Sequence, residues 1–276
     1  MSYGFVARNP KKIQTLVELI QTYSKDPLRD DAIFELASSY SREGNTNQAV
    51  ASYDLLLSKY KNSPYIPKAI LNKGLILYNQ ENYDQAKEVL KDLAIKYRLD
   101  PVAQQAVRTL KEIALDQAEV NAFTQWIREQ NLNTFTDIEL EKTAFTSAEK
   151  QFLEGNSNTA EKLLKEYLEL YPQGTYGNPA QFYLAEIYFE KEDFAEAFPY
   201  YKSIVEQQVS SYTEKSLVRI VSLLKKEARL SEAIGYLEKL DQIASFQENK
   251  RFAKLNLMQA YFASNQFQKT LEVSSV

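Results

Sequence analysis

One turn recurs in this chain at a fixed interval, and that interval limits the possible folds more than any other feature. "YSKDPLRDDAI" starts at Tyr23, "YKNSPYIPKAI" at Tyr60 and "YRLDPVAQQAV" at Tyr97, so the starts lie 37 residues apart. Each has Tyr first, Pro four residues on and Ala nine residues on. Two periods later, "YPQGTYGNPAQ" at Tyr171 keeps the Tyr and the Ala and has Thr175 in the proline place. A period of this length marks an array of one small supersecondary unit, each copy burying its apolar face against the next. The length of 276 residues therefore does not set a domain count.

Between the turns each period reads as two helices. In the first, Ile33, Leu36, Ala37 and Tyr40 fall at helical spacing, Gly44 breaks the chain, and Ala49, Tyr53 and Leu56 mark a second helix. Gly74, Tyr83, Ala86, Leu90 and Leu93 repeat the pattern, as do Ala185, Tyr188, Phe194, Ala197 and Tyr201. A fourth copy carries Leu224, Leu230, Ala233 and Leu237. Antiparallel helices approach closely only where a side chain is small. Ala49, Ala86, Ala160, Ala197 and Ala233 stand at equivalent places, 37, 74, 37 and 36 residues apart. Strands are not expected, because no period-two alternation is sustained.

The pattern resembles the tetratricopeptide repeat. That family sets a small residue in the first helix, an aromatic after the turn and Ala three residues later. Here these are Gly74, Tyr83 and Ala86; Ala185, Phe194 and Ala197; and Ala148, Ser157 and Ala160, the last with serine in the aromatic place. The resemblance implies an all-α, right-handed α-solenoid of antiparallel helix pairs. The long Tyr-x-x-x-Pro turn is similar to the subclass found in bacterial envelope proteins, including the outer-membrane assembly lipoprotein and multi-repeat Bacteroidetes proteins. That implies a periplasmic or outer-membrane-associated location, with the cytoplasm left open.

Residues 1–276 read as a single solenoid of six complete helix pairs with partial ends, a fragment of a longer array. A lone second helix follows a stub at residues 3–7, and "NQFQKTLEVSSV" starts another second helix. Any signal or lipid anchor is expected upstream, since "MSYGFVARNPKK" has no signal-peptide core. One repeat departs from the pattern: Phe123 takes the place of the alanine, the only tryptophan, Trp126, follows, and "NLNTFT" replaces the usual turn. A soft joint at residues 131–137 is the expectation, with Trp126 either core filler or a shaper of the array's curvature.

Chemistry is sparsely provided. With no Cys and no His there is no thiolate, no disulfide and no imidazole base or metal ligand. The seven glycines form no phosphate loop. Carboxylates one turn apart, such as Glu186 and Glu190 or Glu192 and Glu196, read as solvated helix faces. Neither an enzyme nor a cofactor is expected. A net charge of −4 without a basic face argues against nucleic acid, and no apolar run is long enough to insert in a membrane.

A binding surface is the better candidate. In the family the first helices line the concave groove, and with the repeat alanine at position 20 the groove receives positions 5, 9 and 12. Two adjacent repeats carry the same triplet there: Phe145, Glu149 and Phe152, then Phe182, Glu186 and Phe189. Glu112 holds the glutamate place one repeat earlier. Unpaired acids on one stripe repel, so the expected partner is a protein or peptide offering a basic or aromatic segment. The competing reading packs the phenylalanines between repeats and pairs the glutamates with local lysines such as Lys142. A carboxylate clamp is not expected, because its basic and amide places hold Phe, Glu and Phe. The rival role is a structural spacer or self-association segment.

Overall fold

The computed structural model describes residues 9–23 and 26–274, so the stub at residues 3–7 lies outside the described residues. It is all-helical, an α-solenoid of helix pairs, and the chain divides into two compact units, Met1–Thr136 and Asp137–Val276. The N-terminal unit holds α1 (Asn9–Thr22), α2 (Arg29–Arg42), α3 (Thr46–Lys59), α4 (Ile66–Asn79), α5 (Tyr83–Lys96), α6 (Pro101–Asp116) and α7 (Val120–Glu129). The C-terminal unit holds α8 (Asp137–Leu153), α9 (Ser157–Leu170), α10 (Gly177–Glu190), α11 (Phe194–Glu206), α12 (Thr213–Lys226), a 3-10 turn (Leu230–Ala233), α13 (Ile234–Ile243), α14 (Gln247–Ala263) and α15 (Phe267–Ser274). Within each unit every helix packs on the next in sequence. Even-numbered helices are the first of each pair, and α1 stands in the place of a second helix.

The alanines do what their size predicts. Ala49, Ala86, Ala160, Ala197 and Ala233 are all completely buried. Gly74 marks the tightest approach: a Cβ there would stand 2.5 Å from Cδ2 of Leu90, itself fully buried on α5. Phe123, in the alanine place of the divergent repeat, is also buried, and its second helix is short. Trp126 is half-buried, with the Lys91 ammonium 5.2 Å from its ring centre.

Each first helix ends the same way. Gly44, Glu81, Ala118, Gly155, Glu192, Ala228 and Asn265 all take positive φ, between 54° and 78°. The amide after each reaches back to a carbonyl in the last turn, as Asn82 N does to Leu77 O at 2.9 Å. This is a glycine-type helix stop, and five of the seven sites carry a side chain that strains it.

Among the described residues no helix is long and apolar enough to cross a membrane.

Candidate functional site

Three contacts join successive first helices, and together they account for the Phe–Glu–Phe triplets. The first is an aromatic stack. Phe145 of α8 lies flat on Tyr176, ring centres 4.6 Å apart, and Phe182 of α10 packs on Tyr212 at 5.1 Å. Phe34 of α2 does the same with Tyr65 at 5.0 Å. In each case the tyrosine immediately precedes the next first helix. Phe145 and Phe182 are only 4% and 7% exposed. The expectation that these two rings face a partner is therefore corrected: they glue repeat to repeat, since covering such a ring removes far more apolar surface from water than a groove would.

The second contact is polar. The Tyr183 hydroxyl of α10 donates to Glu149 Oε1 of α8 at 2.8 Å. One repeat on, Arg219 of α12 donates to both oxygens of Glu186 of α10, Nε to Oε1 at 2.8 Å and Nη2 to Oε2 at 2.6 Å. Tyr201 also donates its hydroxyl to Glu186. Glu186 is 14% exposed and fully engaged, so the expectation of unpaired acids is corrected at both glutamates. Their partners are Tyr183 and Arg219, not Lys142. Burial first, then the bond to Glu149, pushes the Tyr183 hydroxyl well above the ordinary tyrosine range. The bond to Glu186, outweighing burial, raises the Arg219 guanidinium above its ordinary value, so the arginine keeps its charge as pH rises.

The third contact uses the same two residues from the next helix. Tyr183 stacks on Phe152 at 4.5 Å, and the Arg219 guanidinium lies over the Phe189 ring at 4.3 Å. Each clasp thus has an acid at position 9, an aromatic at position 12 one helical turn away, and one side chain from the next repeat that bonds the acid and covers part of the ring. Phe152 and Phe189 remain half-buried rather than buried. Lys226 adds an ammonium 5.6 Å from the Phe189 ring centre. Glu112 is exposed on α6 in the N-terminal unit.

A further carboxylate fixes the turns, and the sequence reading did not single it out. Glu141, near the start of α8, accepts from Thr175 N at 2.5 Å and from the Tyr167 hydroxyl at 2.9 Å. Glu214 of α12 accepts from Ser245 N, Ser245 Oγ and Asn249 Nδ2 at 2.6 to 2.8 Å. Both satisfy amides at the entry to the next first helix. Burial works against the Glu214 carboxylate, but the bonds from Ser245 and Asn249 outweigh it and hold the group below the ordinary range. Thr175, standing where other repeats have proline, supplies the amide that proline lacks. Among the described residues no three acidic side chains come together as a metal site.

Residues 31–63 and 68–99 match the family model of the tetratricopeptide repeat, so the N-terminal unit carries tetratricopeptide repeats. Residues 178–272 match the model of the TT21 fifth ARM repeats domain. No curated protein matches the chain. Among solved structures it is similar to a tetratricopeptide repeat protein from Parabacteroides merdae, at 16% identity, covering 93% of this chain and 96% of that one with a TM-score of 0.42. It is also similar to pilF of Pseudomonas aeruginosa, at 16% identity, 88% and 96% coverage and TM-score 0.31. A third is YrrB, described as a tetratricopeptide repeat protein with an unusual peptide-binding site, at 16% identity, 70% and 92% coverage and TM-score 0.34.

Proposed function

We propose that the chain is a non-catalytic scaffold that holds a segment of another protein on the first helices of its C-terminal unit. The observation that supports this is the partial exposure of Phe152 and Phe189 in otherwise locked clasps. An aromatic anchor already fixed by its neighbours loses little entropy on binding, and such anchors dominate interface energies. The partner side chain over Phe152 and Glu149 is aromatic or basic. Over Phe189, where Arg219 and Lys226 stand, it is aromatic or acidic. Peptides selected by phage display on the intact chain supply the test. Phe152→Ala with Phe189→Ala should abolish their binding with helicity unchanged, and Glu149→Lys should weaken it mainly at low salt. A folded double variant that binds like wild type would sink the proposal.

A second reading, self-association, is favoured by a different surface. Leu255, Phe262, Phe267 and Leu271 on α14 and α15 are 53 to 64% exposed, and Phe262 packs on Phe267 with ring centres 5.7 Å apart. The outer residues of α1 are polar by contrast, with Lys11, Gln14, Thr15 and Glu18 exposed. Sedimentation equilibrium of Phe262→Ser against wild type separates this reading from the first. The single-array reading of residues 1–276, with a soft joint at 131–137, belongs to the same proposal and is tested by limited proteolysis. So does placement in a bacterial envelope, which rests on the resemblance of the turn and is tested by fractionating the source cell.

A further inference from the structure

We infer that a separate docking site lies on the second-helix side of the N-terminal unit, in the cleft between α3 and α5, and that it takes an acidic segment of a partner protein by its apolar side chains. The cleft has a volume of about 680 Å³. Its floor is apolar, built by Leu57 of α3, Ile66 and Ile70 of α4, and Val89 and Ile95 of α5. Ile95 is 41% exposed between charged neighbours of the rim. A volume and lining of this kind suit apolar anchors rather than water.

The rim carries four ammonium groups, from Lys61, Lys73, Lys91 and Lys96. Lys73 is paired with Asp54 at 2.6 Å and Lys96 with Asp92 at 2.8 Å. Lys91 rests over the face of Trp126, and among the described residues Lys61 makes no salt bridge, which leaves Glu88 as the remaining lining acid beside these two cations. This local surplus runs against a chain whose net charge is −4. Lysine stems extend the apolar wall while their heads reach outward. An occupant with leucine or phenylalanine anchors flanked by Asp or Glu therefore meets both the floor and the rim, and a basic one is repelled.

The repeat shows how the cleft could be closed. Val89 stands 37 residues before Trp126 and 111 before Tyr200, at the same place on the second helix. Where those repeats put a large ring, this one puts a small aliphatic side chain. Tyr200 is half-buried and stacks on Tyr188 at 6.0 Å, so a ring at this place is compatible with a packed repeat. A tyrosine at position 89 should accordingly fill the cleft without unfolding the unit.

The test uses the intact chain and a fluorescein-labelled peptide in which Leu and Phe alternate with Glu, read by anisotropy. A control peptide carries Lys in place of Glu. The Glu peptide should bind wild type, more weakly as salt rises, and the Lys peptide should not. Val89→Tyr should weaken binding about tenfold or more, and Lys61→Glu about threefold with a shallower salt dependence. Should Val89→Tyr lose helicity, Ile95→Glu on the exposed wall is expected to weaken binding just as much. The inference is overturned if the Glu peptide fails to bind, if the Lys peptide binds equally, or if a folded Val89→Tyr or Ile95→Glu binds like wild type. It is also overturned if sedimentation shows a wild-type dimer that Val89→Tyr makes monomeric, for then the occupant is a second copy.

Discussion

The two units fill the same slot between first helices with different chemistry. In the N-terminal unit the Tyr53 hydroxyl lies 3.2 Å from Ser38 Oγ and accepts from Asn72 Nδ2 at 3.0 Å. In the C-terminal unit Tyr201 donates to Glu186, which Arg219 grips with two bonds. Ser38 and Glu186 are equivalent by the period, as are Tyr53 and Tyr201. The tyrosine and the geometry persist while a neutral pair is exchanged for an ion pair. A charged trio is not thereby worth more, because the ions lose hydration on burial. What changes is the cost of breaking it, since a lone half-buried carboxylate is far worse placed than a lone hydroxyl.

The largest effect should come from the aromatic stacks, which both units share. Phe182→Ala removes a buried ring and should cost roughly 3 kcal/mol. Phe34→Ala should cost less, because Phe34 is only half-buried. Urea midpoints decide it: losses of the reverse order would show that the Tyr65 stack, not burial, sets the value. Next comes the clasp itself. Arg219→Ala strands Glu186 and should cost about 2 kcal/mol, whereas Asn72→Ala should cost about 1. Arg219→Met with Glu186→Gln should recover much of the loss. Equal losses for the two single variants would erase the contrast between the units.

How much of this was readable from the chain depends on what a period reports. Equivalent residues recur every 37 positions, so the helix pairs, the buried alanines and the matched triplets were legible. Residues that touch across repeats do not lie one period apart. Tyr183 follows Glu149 by 34 residues and Arg219 follows Glu186 by 33. Periodicity therefore identified Phe145, Glu149, Phe182 and Glu186 as a set and gave no hint of what each one meets. A usable signal was present: Phe34, Phe145 and Phe182 are each followed by a tyrosine 30 or 31 residues on. Of the helix stops, the sequence marked the one at Gly44 by its glycine. Glu81 and Glu192 look like ordinary surface residues, because the backbone amide of the next residue, not the side chain, makes the motif.

A pH effect belongs to the C-terminal unit. Glu161 of α9 accepts from Lys165 at 2.8 Å, from Lys191 at 2.6 Å and from the Tyr188 hydroxyl at 3.0 Å. The Lys165 bond first, then that of Lys191, pulls its pKa from 4.5 down to about 2. A carboxylate depressed on folding contributes stability that is whole above its unfolded pKa and is lost as pH falls toward the folded value. Between pH 4.5 and 2, wild type should lose about 1 kcal/mol through this group after allowing for solvent screening. Glu161→Gln should flatten that limb of the melting curve. An unchanged acid limb in the variant would mean the lysines find water as good a partner.

The smallest effect is the one on which the two units should agree. Glu81 ends α4 with φ of 58°, and Glu192 ends α10 with the same value. Both side chains are exposed. A left-handed L-residue costs roughly 1–2 kcal/mol, which glycine avoids, while glycine gives the unfolded chain more freedom to lose. The difference leaves Glu81→Gly and Glu192→Gly each more stable by about 0.5 kcal/mol. Since the two residues share the same φ, and among the described residues neither side chain makes a hydrogen bond or ion pair, the gain should be equal in the two units. A gain in one unit alone would show that the units differ in how tightly their helix ends are held, and not merely in the chemistry of their clasps.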